Sequence, residues 1–432
     1  TTDGRSILDF TGGVGVLNHG HNHPRILKAR EQFQQQKKME VHKNFLSQYM
    51  AALAHNIAQL LPEDLDILYT CNSGAESVEG ALKLAYKSYE GKRKCVLSSD
   101  ISFHGKLLGA AGVTGSPEVH FKWPTIPGIH HFEYNNIESV KKHVEQLRTS
   151  SGESDIYAIL LEPFNASSLR ECDSQFLNDL RKLCNEESIR LIFDEVYTGW
   201  AKTGELFYFE HHNVVPDILT FSKSFGGGKA SIAGYVSRTP VFKEAYGNIN
   251  DAILHSTTFN GFGEECITAL EAINIILEED YCGRAKNIHL KLQKGLRDLK
   301  EKHPSMIKEI RGKGALNGVI FDDSLPLTFK TAAAVLPGKI YKDPRFGAKL
   351  ITGAIISELF NSHNILTFYG SNREIPLIIA PSHEISDSYI NRFLNSLDEV
   401  LSIGKSKLLF KFAAYKFGLT RENRNEKSPE KS

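Results

Sequence analysis

The chain has no apolar segment long enough to cross a bilayer and no charged-then-apolar leader in its first residues, so neither a helical span nor a secretory route is expected. It has no excess of either charge. Fifty-one Lys+Arg stand against 51 Asp+Glu, so no overall field draws it to nucleic acid or to an anionic membrane, and a small-molecule partner is expected instead. Its six cysteines (Cys71, Cys95, Cys172, Cys184, Cys266 and Cys282) include no pair at metal-ligand spacing. At 432 residues and 41% hydrophobic content, the chain can bury a large core and form more than one lobe without disulfides. The cysteines are therefore read as reduced and the compartment as cytoplasmic. No internal repeat is found.

What is present is an alternation of strand and helix patterns. Leu65 to Cys71, Lys94 to Ser99, Ile156 to Leu161, Leu191 to Phe193, Ile218 to Phe221 and Ser231 to Ser237 read as strands, with helical spacing between several of them, which predicts a mostly parallel sheet flanked by helices. Pro24 to Leu61 reads as two helices jointed near Val41 to Asn44. Asp280 to Lys302 reads as a long amphipathic connector through Ala285, Ile288, Leu290, Leu292, Leu296 and Leu299. The domains expected are an N-terminal segment over 1–45 packing with the small domain, a large domain over 46–300, a small α+β domain over 301–404, and a basic tail over 405–432. Leu408, Leu409, Phe412 and Tyr415 give that tail an apolar face to dock on the core, and beyond Arg421 its composition is that of a disordered end. The opening Thr1, with Asp3-Gly4-Arg5 already turn-like, leaves room for a longer parent polypeptide, with this chain as one part of a larger biosynthetic enzyme.

Four local features carry chemistry. Lys223 ends the apolar run Ile218, Leu219, Phe221 and leads into Gly226, Gly227 and Gly228. A lysine so placed is desolvated and can be neutral enough to attack a carbonyl, although most strand-end lysines are solvated surface groups. Ser73-Gly74-Ala75 opens a helix and would gather backbone N–H groups at its positive end, as a phosphate requires; an ordinary serine cap explains the same residues. Glu162 and Asp194 each stop a strand, where open α/β sheets bind ligands. Phe103-His104-Gly105 follows another strand and can cover a flat ring. His19, His21 and His23 invite a metal reading, but alternate histidines beside Gly and Pro more often form a hydrogen-bonded loop, and no metal is expected. Together the features ask for a flat, phosphorylated aldehyde with a ring nitrogen kept protonated by a carboxylate, and pyridoxal 5'-phosphate meets each request.

The motifs Asp9-Phe10-Thr11-Gly12-Gly13-Val14-Gly15, Cys71-Asn72-Ser73-Gly74-Ala75-Glu76, Phe103-His104-Gly105, Asp194-Glu195-Val196-Tyr197-Thr198-Gly199, Thr220-Phe221-Ser222-Lys223 and His255-Ser256-Thr257-Thr258-Phe259 resemble those of class III (omega-type) aminotransferases of pyridoxal-phosphate fold type I. The resemblance implies that Lys223 forms the internal aldimine and shuttles the proton. It implies that Asp194 pairs with the ring nitrogen, that Val196 and Phe103 pack on the two ring faces beside His104, and that Ser73, Gly74 and Ala75 bind the phosphate. Thr258 would reach the phosphate of the neighbouring subunit in a homodimer. The implied reaction is ping-pong amino transfer between an amine or amino acid and a carbonyl acceptor.

Departures from the family pattern bear on the substrate. Many relatives hold glutamate or 2-oxoglutarate with an arginine a few residues before a Pro-Pro pair in the C-terminal lobe, gated by a Glu in a Glu-Pro-x-Gln-Gly-Glu motif. This chain reads Pro376-Leu377-Ile378-Ile379-Ala380-Pro381 and Glu162-Pro163-Phe164-Asn165-Ala166-Ser167, so both halves of that gate are missing. Lys106 could supply a weaker charge contact, and Tyr197, where Gln is frequent, could bond the cofactor's hydroxyl. An aminomutase, decarboxylase, epimerase or lyase on the same fold is the alternative reading, followed by a non-catalytic dimeric homologue.

Overall fold

A computed structural model describes residues 1–41, 45–62, 64–116, 121, 123–251, 253–326 and 343–416. Strand β1 is short, Leu8–Asp9, and stops at glycines. The main sheet is built from β2 (Leu65–Cys71), β3 (Cys95–Ser99), β4 (Ile129–Phe132) and β5 (Ile156–Leu161). After a small hairpin of β6 (Phe164–Asn165) and β7 (Arg170–Glu171), it is completed by β8 (Arg190–Asp194), β9 (Ile218–Phe221) and β10 (Ala233–Arg238). The seven strands lie in the order β2-β10-β9-β8-β5-β3-β4. All neighbouring pairs are parallel except those made by β10, which runs antiparallel to both β2 and β9. Every residue of β5 and β9 is buried, as a parallel sheet covered by helices on both faces requires.

The helices start where the sequence offers caps. Ser73 Oγ accepts from the Glu76 N–H at 3.3 Å while Glu76 Oε2 accepts from the Asn72 N–H at 3.0 Å, a reciprocal arrangement that sets the first turn of the helix Gly74–Lys87. That helix buries Val78, Ala81, Leu82, Leu84 and Ala85 against the sheet. The 24–61 region forms two helices, Pro24–Gln35 and Gln48–Leu60; residues 42–44 of the expected joint lie outside the described residues.

A second core gathers around β11 (Ile307–Lys313), β12 (Leu316–Phe321), β13 (Ile365–Leu366), β14 (Phe368–Tyr369) and β15 (Leu377–Ile379). β11, β12, β15 and β14 make a four-stranded antiparallel sheet, while β13 pairs in parallel with β1. Phe10 follows β1 into this core and stacks on Phe393, ring centroids 4.4 Å apart. The long helix Tyr281–Lys302 packs Ala285, Ile288, Leu292, Leu296 and Leu299 there. Leu290, expected on that face, is 68% exposed, because it stands two positions from both Ile288 and Leu292 and so points away from their stripe. The helix Lys405–Lys416 buries Leu408 and Leu409 in the same core; the rest of the tail lies outside the described residues. Among the described residues, no helix is long and apolar enough to cross a membrane, and all six cysteines are unpaired.

Candidate active site

The carboxyl ends of β8 and β9 lie side by side, with Asp194 opposite Thr220 in the register. Asp194 is buried and held from three directions. Its Oδ2 accepts from His104 Nδ1 at 2.7 Å, and its Oδ1 accepts from the Val196 N–H at 3.0 Å and from Thr220 Oγ1 at 3.2 Å. Three hydrogen bonds of this kind fix the direction of the carboxyl group.

Lys223 begins a short 3-10 turn, Lys223–Gly226, at φ 48°, a left-handed conformation that is uncommon outside glycine and that clusters at functional sites. Burial pushes its pKa down from the usual lysine value, and Asp194 and Glu162 oppose that shift. Its Nζ lies 5.1 Å from the centre of the Tyr197 ring. The Tyr197 hydroxyl is buried and has no hydrogen-bond partner among the described residues, and burial raises its pKa well above the phenol range. Gly15 is required beside this ring, since a Cβ there would stand 2.6 Å from it at φ 85°.

These groups line a cavity of about 420 Å³. Of the residues expected at the site, Gly74, Ala75, Phe103, His104, Asp194, Val196, Tyr197 and Lys223 are brought together there. Ser73 stands at the helix start with its hydroxyl engaged by Glu76, bonded at 3.0 Å to the carboxylate. Lys106 is exposed and does not line the cavity, and Thr258 is exposed and likewise stands outside this chain's own cavity. Gly74 is close to Val196: a Cβ on Gly74 would sit 2.8 Å from the valine's Cγ1.

Glu162 stands in the sequence as a strand-end carboxylate with no role marked by its neighbours. Its Oε2 accepts from the Phe103 N–H at 2.9 Å and from Asn165 Nδ2 at 2.7 Å, so it fixes the backbone of the aromatic residue. Burial pushes its pKa up to about 7. The opposite wall has no mark in the sequence pattern: Val14 from the glycine loop and Phe368, Tyr369, Gly370, Ser371 and Ile378 from the second lobe close the cavity, with Ala166 of the β6–β7 hairpin beside them. No periodicity marks Phe368 to Ser371, because their place depends on how the small sheet docks. Asn372 performs that docking, donating to the Ile101 carbonyl at 2.7 Å and to Ser167 Oγ at 2.8 Å.

The histidines near the start have separate partners. His19 Nε2 donates to the Ala272 carbonyl at 3.0 Å, and His21 Nε2 bonds Asp9 Oδ2 at 2.9 Å. His23 does have two carboxylates near it, Glu279 and Glu384. Arg284 pairs with both of them, at 2.9 Å from Glu279, and Tyr281 donates to Glu384 at 2.7 Å, so their charge is already matched.

Comparison with solved structures places this geometry. A transaminase from the marine bacterium Virgibacillus superposes with a TM-score of 0.82 at 22% identity, over 95% of this chain and 90% of that one. The ornithine aminotransferase from Toxoplasma gondii superposes at 0.77 and 23% identity, over 94% and 88%. A thermostable (S)-enantioselective omega-transaminase from Thermomicrobium roseum gives 0.79 and 23%, over 93% and 89%. The family model described as Aminotransferase class-III matches residues 1–339. With a desolvated lysine, a fixed carboxylate and a glycine-opened helix around one cavity, the chain belongs to the class III aminotransferases, pyridoxal-phosphate-dependent transaminases of fold type I.

Proposed function

We propose that this chain moves an amino group from an amine or amino acid donor to a carbonyl acceptor in two half-reactions, with Lys223 and Asp194 as its catalytic residues. The observation that carries the reading is their meeting in one cavity at the carboxyl edge of a mostly parallel sheet, one group desolvated and the other fixed by three hydrogen bonds. Pyridoxal phosphate, when bound, supplies an aldehyde for an amine to capture and a protonated ring that accepts the electrons of a carbanion. The residues present fit that group. Asp194 would hold the ring nitrogen's proton, Val196 and Phe103 would flank the ring with His104 bracing Asp194, and Gly74 and Ala75, with Ser73, would offer N–H groups at a helix start to the phosphate. The buried, unpartnered Tyr197 hydroxyl is placed to bond a polar atom in the cavity. Lys223 Nζ, disfavoured as an ammonium by burial, takes a proton from the substrate carbon in one half-reaction and returns one in the other.

The substrate reading follows from the lining. Among the described residues, Lys223 is the one cationic side chain on the cavity, while Val14, Phe103, Phe368, Tyr369 and Ile378 present apolar surface. We read the substrate as an amine whose non-reacting end is apolar, with no arginine among the described residues that line the cavity to clamp a carboxylate. Lys106, outside the cavity, is assigned no contact. The protein is further read as a cytoplasmic homodimer in which Thr258 serves the neighbouring site. Support comes from the exposure of Thr258 and of Phe45, Leu46, Phe121, Trp123 and Ile253, surface of the kind an obligate partner covers.

The test is to mix the yellow holoenzyme with a panel of amines and amino acids and to follow the cofactor's absorbance. Conversion to the amine form by apolar amines, with release of the matching carbonyl, is expected. Turnover of one substrate without any amino transfer would replace this reading with that of a mutase, decarboxylase, epimerase or lyase.

A further inference from the structure

Three stretches that border the active-site cavity come from separate parts of the chain: Phe103 after β3, Ala166 and Ser167 in the β6–β7 hairpin, and Phe368 to Ser371 in and after β14. Asn165 sits where they meet. Its side chain is wholly buried. Nδ2 donates to Glu162 Oε2 at 2.7 Å and to the Ile101 carbonyl at 3.0 Å. Oδ1 accepts from Ser167 Oγ at 3.1 Å, from the Ser168 N–H at 3.0 Å and from Ser168 Oγ at 2.5 Å. Every donor and acceptor position of the amide is thus filled.

These bonds close into a ring. The Ile101 carbonyl also accepts from Asn372 Nδ2 at 2.7 Å, and the same nitrogen donates to Ser167 Oγ at 2.8 Å, from which the ring returns to Asn165. A branch runs through Glu162 to the Phe103 N–H at 2.9 Å. Asn372 is as deeply buried as Asn165. Gly370 lies hard against the hairpin, since a Cβ there would stand 2.0 Å from the Ser167 carbonyl oxygen. Apolar contact between lobes has no fixed direction and lets surfaces slide. A buried ring of engaged amides does not, because moving one member strands polar groups in the interior.

We propose that Asn165 is a positioning residue that presets the width of the substrate pocket by tying the Phe103 stretch to the second-lobe wall, so that amines are selected by size against a fixed gap. The proposal rests on the amino-transfer reading above. Asn165 and Asn372 stand outside the cavity lining, so they act on the substrate through Phe103 on one side and Tyr369 and Ser371 on the other. Asn165→Asp isolates the tie. It keeps the size and the acceptor for Ser167 and Ser168, loses both donations of Nδ2, and sets a second carboxyl beside Glu162. Two carboxyls so close share a proton at low pH, which rebuilds a bond between them, and they repel once it is lost. The titratable groups that act on Glu162 are His104, Asp194, Lys223, Tyr134 and Cys172. All are the same in both proteins, so a difference in pH profile reads the new pair.

The test compares the holoenzymes of wild type and Asn165→Asp on a small and a bulky apolar amine of equal basicity. The wild-type preference in kcat/KM for the small amine should not change with pH. In Asn165→Asp it should match wild type near about pH 6 and relax roughly tenfold by about pH 9. Hydrogen exchange, corrected for the intrinsic rate, should show residues 367–372 opening faster in the variant at the higher pH. Ser167→Ala removes the hydroxyl between Asn165 and Asn372 and should relax the preference roughly threefold at every pH; it carries the test if Asn165→Asp does not fold. A preference that keeps its wild-type value in the variants would overturn the proposal, whatever the exchange shows. A wild type that moves no amino group from either amine would overturn the proposed function instead, and unchanged exchange in the variants would then overturn the tie as well.

Discussion

The two walls of the active-site cavity are built on different principles. The wall from the seven-stranded sheet is polar, and its groups are fixed: Asp194 takes three hydrogen bonds, and Glu162 pins Phe103. The wall from the second lobe and the glycine loop is apolar and partly open, with Val14 at 53% and Tyr369 at 46% exposure. A carbanion must be stabilised at one place whatever the substrate, which calls for preorganised dipoles on a rigid scaffold. A choice among substrates can be made by contact surface that varies without disturbing those dipoles. Among the described residues, those of the second wall include no cationic side chain, so a difference in what that wall binds leaves the fixed groups of the first wall undisturbed.

The largest effect that would break this contrast is on the first wall. Lys223→Ala should lower turnover by roughly 10³-fold or more, because it removes the proton carrier at the reacting carbon, while the fold and some cofactor binding remain. Single-turnover assays check it, and near wild-type transfer would sink the assignment. Asp194→Asn comes next, with a loss on the order of 10²-fold or more, because an amide neither fixes a positive ring nitrogen nor holds His104 Nδ1–H as strongly. Its signature is a fall in kcat with the fold intact by circular dichroism.

On the second wall, Tyr369→Ala should change kcat/KM for bulky against small amines by roughly tenfold and leave the cofactor's absorbance unchanged. A loss of cofactor binding in that variant would mean that the two walls are not independent.

The smallest effect is a pH signature. The Glu162 carboxyl has a native pKa of about 7 against an ordinary 4.5. Between those values the native state keeps a proton that the unfolded chain has lost, so this group's contribution to stability falls as pH rises and levels off above about 7. In Glu162→Gln that part of the slope should vanish. The thermal midpoints of the two proteins, measured from pH 4.5 to 8, should differ in trend by a few degrees.

Much of the first wall was legible because its signals are local. Asp194 and Lys223 stand at the ends of short apolar runs, and Ser73-Gly74 opens a helix, so neighbouring residues announce where each side chain emerges. The antiparallel direction of β10 was not legible, since its pattern is the same in either direction. Phe368, Tyr369 and Ser371 gave no signal because they reach the site through the docking of Asn372 against Ile101 and Ser167.

The sequence by itself determined the chemical vocabulary of this protein: a strand-end lysine, a strand-end carboxylate and a glycine-opened helix, each set by the alternation and turn chemistry of its own stretch. Only the tertiary structure decided which apolar surface lines the cavity, why burial pushes the Glu162 carboxyl up to about 7, and that Asn18 and His383 meet in the interior. Those outcomes depend on desolvation and on contacts between residues far apart in the chain. Burial of a group is a property of everything packed around it, and a linear pattern records only its neighbours.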